Sequence, residues 1–321
     1  MLALTSATGK LGSAVLDAIL ENKLIEESKL VVCTSSDPSD KRFDALRERK
    51  ITVRYNNFDE PESLKRAFTG CSKLFLVSTP RISMDYNNAP LWAGREAHHR
   101  AAIEAAIEAG VKHVYYTSLA FANPSKAGVM RAHIRTEMYL NDLADQGRID
   151  YTIIREGLYN ESWPLYFGYY FGLQDENRQE VIVATGDGPI SWTAIADMAF
   201  GTAKIITAPS DAWKEKTLYL AQRKTWSLED IARLVSKFQC RDIHLKIVSR
   251  KEYEDHYVAS GIERASVEWW STTYDALRDG ECDIKDDTLE KLLQEAGRKP
   301  KTLDETIAKM LNREGGSHTA A

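Results

Sequence analysis

Only four cysteines, at positions 33, 71, 240 and 282, occur in 321 residues, with no C-x-x-C pair and no metal-ligand spacing. That argues against a disulfide framework or a zinc site and fits a reducing, cytoplasmic setting. Basic residues are not in surplus: 42 lysines and arginines against 47 acids leave a formal charge of −5. Nucleic acid, whose phosphates need a basic face, is therefore not an expected partner. No apolar run reaches the length of a membrane span. The first residues also lack the basic start and small-residue cleavage site of a secretory leader. Also missing are a Walker lysine loop, a G-x-S-x-G setting around Ser118, any internal repeat and any obvious linker. His98 and His99 open a helix with no metal partner at useful spacing, so a solvated face is expected for them.

What is present is an alternation of strand and helix. "MLALTS", "KLVVCT", "ITVRYN", "KLFLVST", "VKHVYYTS" and "DYTIIRE" read as strands. Between them lie helical stretches, among them one from about 97 to 109 and one from 130 to 145. The pattern predicts an α/β chain built on a Rossmann-type doubly wound parallel sheet. Residues 1–155 form the expected dinucleotide-binding domain, and residues 156–312 a smaller α/β lobe interleaved with it, "TLYLA" returning to the main sheet. Residues 313–321 are expected to be a disordered tail. On such sheets ligands lie at the carboxyl ends of the strands, so functional residues should follow each strand directly.

The first such position carries "LTSATGKLGSAV". A dinucleotide loop uses glycines for a tight turn, for close approach to pyrophosphate and for packing of helix on strand. Here Gly9 and Gly12 keep the second and third positions, and Ser6 replaces the first, a small residue that adds little strain if the position has a negative φ. Ser6, Thr8, Gly9, Lys10, Leu11 and Gly12 are the expected cradle, with the helix amides aimed at a phosphate. After the second strand stand Ser35, Ser36 and Asp37, then Lys41 and Arg42. Hydroxyls and a basic pair suit a 2′-phosphate, which favours NADP(H) and leaves NAD(H) possible.

Six segments together resemble the NmrA-like family of atypical short-chain dehydrogenases, and most closely its NAD(P)H:quinone oxidoreductase members. They are "LTSATGKLGSAV", "ITVRYNNFDEPESLKRAFTGCSKLFLVST", "HHRAAIEAAIEAGVKHVYYTSL", "HIRTEMYLND", "DYTIIREGLYNES" and "VATGDGPISWTAIADMA". The resemblance implies that Asn57 and Phe58 lie against adenine. It also implies that Val77, Ser78 and Thr79 border ribose and nicotinamide, and that Thr117 and Ser118 end the fifth strand beside the site. Gly157, Leu158, Tyr159 and Asn160 would flank nicotinamide and substrate. Two family features are missing: the frequent arginine after the second strand, and the Tyr-x-x-x-Lys pair of ordinary short-chain dehydrogenases.

Where that pair would stand, the chain reads His133-Ile134-Arg135-Thr136-Glu137. One helical turn apart, Glu137 could orient His133 or hold its proton, which makes His133 the expected proton donor or substrate anchor. Its structural alternative is a histidine bonding the cofactor edge or the backbone. A quinone accepts hydride readily, so a positioned cofactor and one hydrogen-bond donor would suffice. Residues 163–172, "WPLYFGYYFG", hold six aromatics; they either roof a pocket for a flat substrate or fill the lobe core or a homodimer contact. The expected activity is hydride transfer from NAD(P)H to a quinone or flat conjugated carbonyl. The alternatives are a cofactor-sensing regulator with a protein partner, and a reductase or isomerase of an aromatic natural product.

Overall fold

The computed structural model describes residues 1–171, 180–184 and 186–314. Its first half is β1 (Leu2–Leu4), α1 (Lys10–Glu21), β2 (Leu30–Thr34), α2 (Asp44–Glu48), β3 (Thr52–Tyr55) and α3 (Pro61–Phe68). Then come β4 (Lys73–Leu76), α4 (Glu96–Glu108), β5 (His113–Leu119), α5 (Met130–Asp145) and β6 (Asp150–Glu156). The second half runs β7 (Leu158–Tyr159), β8 (Glu180–Ala184), β9 (Trp192–Thr193), α6 (Ile195–Thr207), α7 (Ser210–Trp213) and β10 (Lys216–Leu220). It continues with α8 (Leu228–Gln239), β11 (His244–Val248), α9 (Arg250–Ala259), α10 (Arg264–Arg278), α11 (Thr288–Glu295) and α12 (Leu303–Glu314).

Seven parallel strands form the main sheet in the order β10-β6-β5-β4-β1-β2-β3. The order reverses between β1 and β4, which is where a doubly wound sheet opens its ligand crevice. Side chains alternate across the sheet, as the two-residue period of a strand requires. Leu2, Leu4, Leu30, Val32, Phe75 and Tyr115 face α1, α6 and α11. Ala3, Val31, Cys33, Leu74, Leu76 and Tyr116 face α3, α4 and α5. Both faces are covered, which is why these strands are apolar throughout.

The lobe is interleaved: β10 pairs with β6, and α6 packs on the same face of the sheet as α1. Its own core gathers Trp163, Tyr166, Phe167, Trp192, Trp269 and Trp270. Residues 313 and 314, expected in a disordered tail, close α12, and 315–321 lie outside the described residues. Among the described residues no helix is long and apolar enough to cross a membrane.

Candidate functional site

At the switch point, Thr5 binds the ends of β1 and β4 together. Its hydroxyl donates to the Phe75 carbonyl at 3.1 Å and accepts from the Val77 amide at 2.9 Å. The chain then turns at Ser6, whose φ is +52°. The condition for an unstrained serine, a negative φ, is therefore not met: Ser6 occupies the left-handed conformation that the first glycine of such loops normally supplies. The turn closes when the Gly9 amide donates to the Ser6 carbonyl at 2.8 Å. A Cβ at Gly12 would lie 2.1 Å from that same oxygen, so only glycine fits where α1 meets the turn. Gly9 caps α1 from an extended conformation, and no side chain caps the helix. Its first-turn amides are available to an anion.

The loop forms one wall of a cavity of about 680 Å³ at the carboxyl ends of β1 to β4. Of the residues singled out from the sequence, Ser6, Thr8, Gly9, Lys10, Leu11, Gly12, Ser35, Asn57, Phe58, Val77, Ser78, Thr79 and Tyr159 line it. Cys33, Thr34, Asn56, Pro80, Arg81 and His98 line it as well and were not foreseen. The lining holds no carboxylate but three basic side chains, Lys10, Arg81 and His98. Arg81 is already engaged, donating to both Asp59 oxygens at 2.7 and 2.6 Å, whereas Lys10 makes no ion pair among the described residues. Phe58 stacks on His98, ring centroids 5.6 Å apart, and His98 Nε2 lies 3.2 Å from Asp59. The Asn57 amide group is spent locally, donating to Glu60 at 3.0 Å and accepting from the Asp59 amide at 3.1 Å.

The basic pair after β2 does not reach the cavity. Lys41 and Arg42 sit in an exposed single turn, where Arg42 pairs with Asp40 and covers the Phe43 ring. Ser36 also stands off, its amide donating to Thr34 Oγ1 at 3.1 Å. The remaining sequence-singled residues are buried in the protein matrix. Asn160 donates from Nδ2 to the Lys301 carbonyl and to Thr306, tying the strand end to α12. Gly157 packs where a Cβ would come within 2.4 Å of Thr193.

Between β5, α4 and α5 lies a buried polar cluster. Tyr116 hydroxyl is 2.9 Å from His133 Nδ1 and 3.2 Å from His99 Nδ1. His99 Nδ1 is also 2.8 Å from Thr136, and its Nε2 accepts from the Thr79 amide at 3.2 Å. Ser78 hydroxyl sits 3.1 Å from His99 Nε2, while Arg95 Nη1 donates to that hydroxyl at 3.3 Å. The solvated face expected for His98 and His99 is thus corrected, since both are buried and His99 is the hub. Burial, then the charge of Arg95, holds both His99 and His133 well below the usual imidazole range, so both rings are neutral at pH 7.

The expected His133–Glu137 couple is also corrected. Glu137 accepts from Arg155 at 3.1 and 2.6 Å and from Ser118 at 2.5 Å, so its carboxylate is turned away and neutralised. Thr117 accepts from the Ser78 amide at 3.0 Å and fixes the loop after β4. Tyr159 faces the cavity; burial, then Glu156 and Glu161, raises its phenol, which stays protonated. The aromatic segment resolves toward core: Trp163, Tyr166 and Phe167 are buried, and Tyr170 stacks on Trp270 at 3.8 Å.

Residues 1–305 match the model of the NmrA-like family. The chain belongs to that family. Quinone oxidoreductase 2 of Escherichia coli K12 is 29% identical over 97% of this NmrA-like chain and 99% of its own length. An NmrA-like oxidoreductase, flvB, of Aspergillus flavus is 27% identical over 92% and 90%. Among solved structures, the E. coli NADPH-dependent quinone oxidoreductase complexed with NADPH superposes with a TM-score of 0.78. It is 28% identical and covers 97% of this chain and all of that one. The Citrobacter sp. triphenylmethane reductase complexed with NADP(H) gives 0.74 at 26% identity, over 96% and 99%.

Proposed function

We propose that this NmrA-like chain is an NADP(H)-dependent oxidoreductase that reduces a quinone, or a similarly flat conjugated carbonyl, by hydride transfer. The observation that carries the reading is the switch-point cavity. It is closed to any Cβ at Gly12, rimmed by uncapped α1 amides and free of carboxylates. A dinucleotide that discriminates for NAD is ordinarily met by an acid near the end of β2. Here Thr34 and Ser35 stand there and Lys10 supplies an unpaired charge, which suits a 2′-phosphate.

The α1 amides and Lys10 would hold the phosphates, Ser35 would face the 2′-phosphate, and Val77 to Thr79 would border ribose and nicotinamide. The bound cofactor would supply the hydride. The acceptor then takes one further proton from water, and its oxygen charge is spread over the ring, so a hydrogen-bond donor replaces a strong acid. Tyr159, a protonated phenol on the cavity wall, is the first donor of this reading, and His133, behind Ser78 and Thr79 of that wall, is the second. Glu137 holds Arg155 and β5 in place and takes no part in proton transfer. Residues 1–155 would bind cofactor and 156–312 would build the substrate side, in a cytoplasmic setting that suits free thiols.

The test is consumption of NADPH, with NADH in parallel, against a panel of benzo- and naphthoquinones. Quinone-dependent NADPH oxidation that outpaces NADH is the expected result. Tight NADPH binding with no turnover across the panel would instead favour a cofactor-sensing regulator.

A further inference from the structure

The buried cluster behind the cavity has a direction that backbone chemistry fixes. An amide can only donate, so the Thr79 N–H at 3.2 Å makes His99 Nε2 an acceptor. A neutral His99 then carries its proton on Nδ1. Thr136, 2.8 Å away, receives it freely, because its own hydroxyl is committed to the Ala132 carbonyl at 2.7 Å. Tyr116 lies on the same Nδ1–H at 3.2 Å and finds no lone pair there, so its hydroxyl hydrogen points to His133 Nδ1 at 2.9 Å. That leaves the His133 proton on Nε2, and no residue accepts from Nε2 among the described residues, although the side chain is only 2% exposed. Nε2 is not sealed off, however: it keeps contact with solvent-accessible space, where the oxygen of a ligand can take the N–H.

We propose that Ser78, His99 and Tyr116 are positioning residues that lock His133 as an Nε2–H donor for the oxygen of the carbonyl substrate. The proposal rests on the oxidoreductase reading and deepens it: it assigns the donor and the device that sets its tautomer. The chain runs Arg95 Nη1 to Ser78, Ser78 to His99 Nε2, His99 Nδ1 to Tyr116, and Tyr116 to His133 Nδ1. Arg95 is itself held by Asp85, whose carboxylate accepts from its Nε at 2.7 Å and from its amide at 2.8 Å. Every link is buried or half-buried, so water competes little with the order of donors. Nε2 gives a hydrogen bond and keeps its proton; the proton that completes the reduced acceptor comes from water.

The test reads the tautomer directly. In 15N-histidine-labelled protein, His133, assigned by its loss in His133→Gln, is expected to show a protonated Nε2 and a bare Nδ1, unchanged from pH 5.5 to 8.5. His99 is expected to show the reverse tautomer. Tyr116→Phe is expected to mix the His133 tautomers and to lower kcat for quinone about tenfold or more, with the Kd for NADPH unchanged. A His133 proton on Nδ1, or a ring that titrates near neutrality, overturns the proposal even if NADPH-dependent turnover stands. Loss of NADPH binding by the parent protein would sink the oxidoreductase reading, while the wild-type tautomer would still be read. If Tyr116→Phe does not fold, the wild-type spectra alone decide.

Discussion

Gly12 and Ser35 set what the cavity accepts. At Gly12 the constraint is steric, because the Ser6 carbonyl occupies the volume a methyl group would need. At Ser35 it is electrostatic: a small hydroxyl stands on the β2 side of a cavity that contains no acid. Ser35→Asp would place a carboxylate where the 2′-phosphate is expected. The NADPH-to-NADH ratio of kcat/KM should then fall by about a hundredfold, roughly 2.8 kcal/mol of lost discrimination, read in steady-state assays with both cofactors. An unchanged ratio would remove Ser35 from cofactor selection. The position of Ser35 follows from the rule that ligands meet strand ends, and so was open to the sequence. Lys41 and Arg42 were misread because net basic character says nothing of which way a one-turn helix points them. Arg81 and His98 were missed because they arrive from a loop and from a neighbouring helix, with no spacing to announce them.

Elements were easier to read than the contacts between them. The helix foreseen over 130–145 is Met130–Asp145, and the 97–109 stretch is Glu96–Glu108; apolar periodicity marks both, and Gly110 closes the second. The helical pattern also put His133 and Glu137 one turn apart, yet it could not show that β5 and β6 supply a better partner for each. Arg155 from β6 takes the carboxylate and Tyr116 from β5 takes the imidazole. The Arg155–Glu137 pair is about 5% exposed on either side and bolts α5 to the sheet. Glu137→Gln leaves the buried guanidinium without its counter-charge, and the cost should be about 3–5 kcal/mol in urea unfolding. A loss below about 1 kcal/mol would mean that the pair does not hold α5.

At the scale of the whole molecule, stability follows pH through groups that folding leaves neutral. Glu156 is 1% exposed at the end of β6, accepts from Thr202 at 2.8 Å through one oxygen, and has no partner among the described residues on the other. Burial pushes its carboxyl up to about 8. Between its ordinary value of 4.5 and about 8 the folded chain therefore binds a proton that the unfolded chain has lost. The stability this group contributes is full below pH 4.5 and is lost as pH rises through 8. His99, His133 and His113 act in the opposite sense, their stability present above 6.5 and lost as pH falls, for His113 towards about 4. Glu156→Gln should thus stabilise the protein more at pH 9 than at pH 5 in denaturant melts; equal effects at both would contradict the assignment. The most direct measurement of the central claim is calorimetric titration of the wild-type chain and of Gly12→Ala with NADPH. Saturable one-to-one binding by the first, weakened at least about a hundredfold in a folded second, is the predicted result. No heat with the wild type, or equal affinity in both, would contradict it.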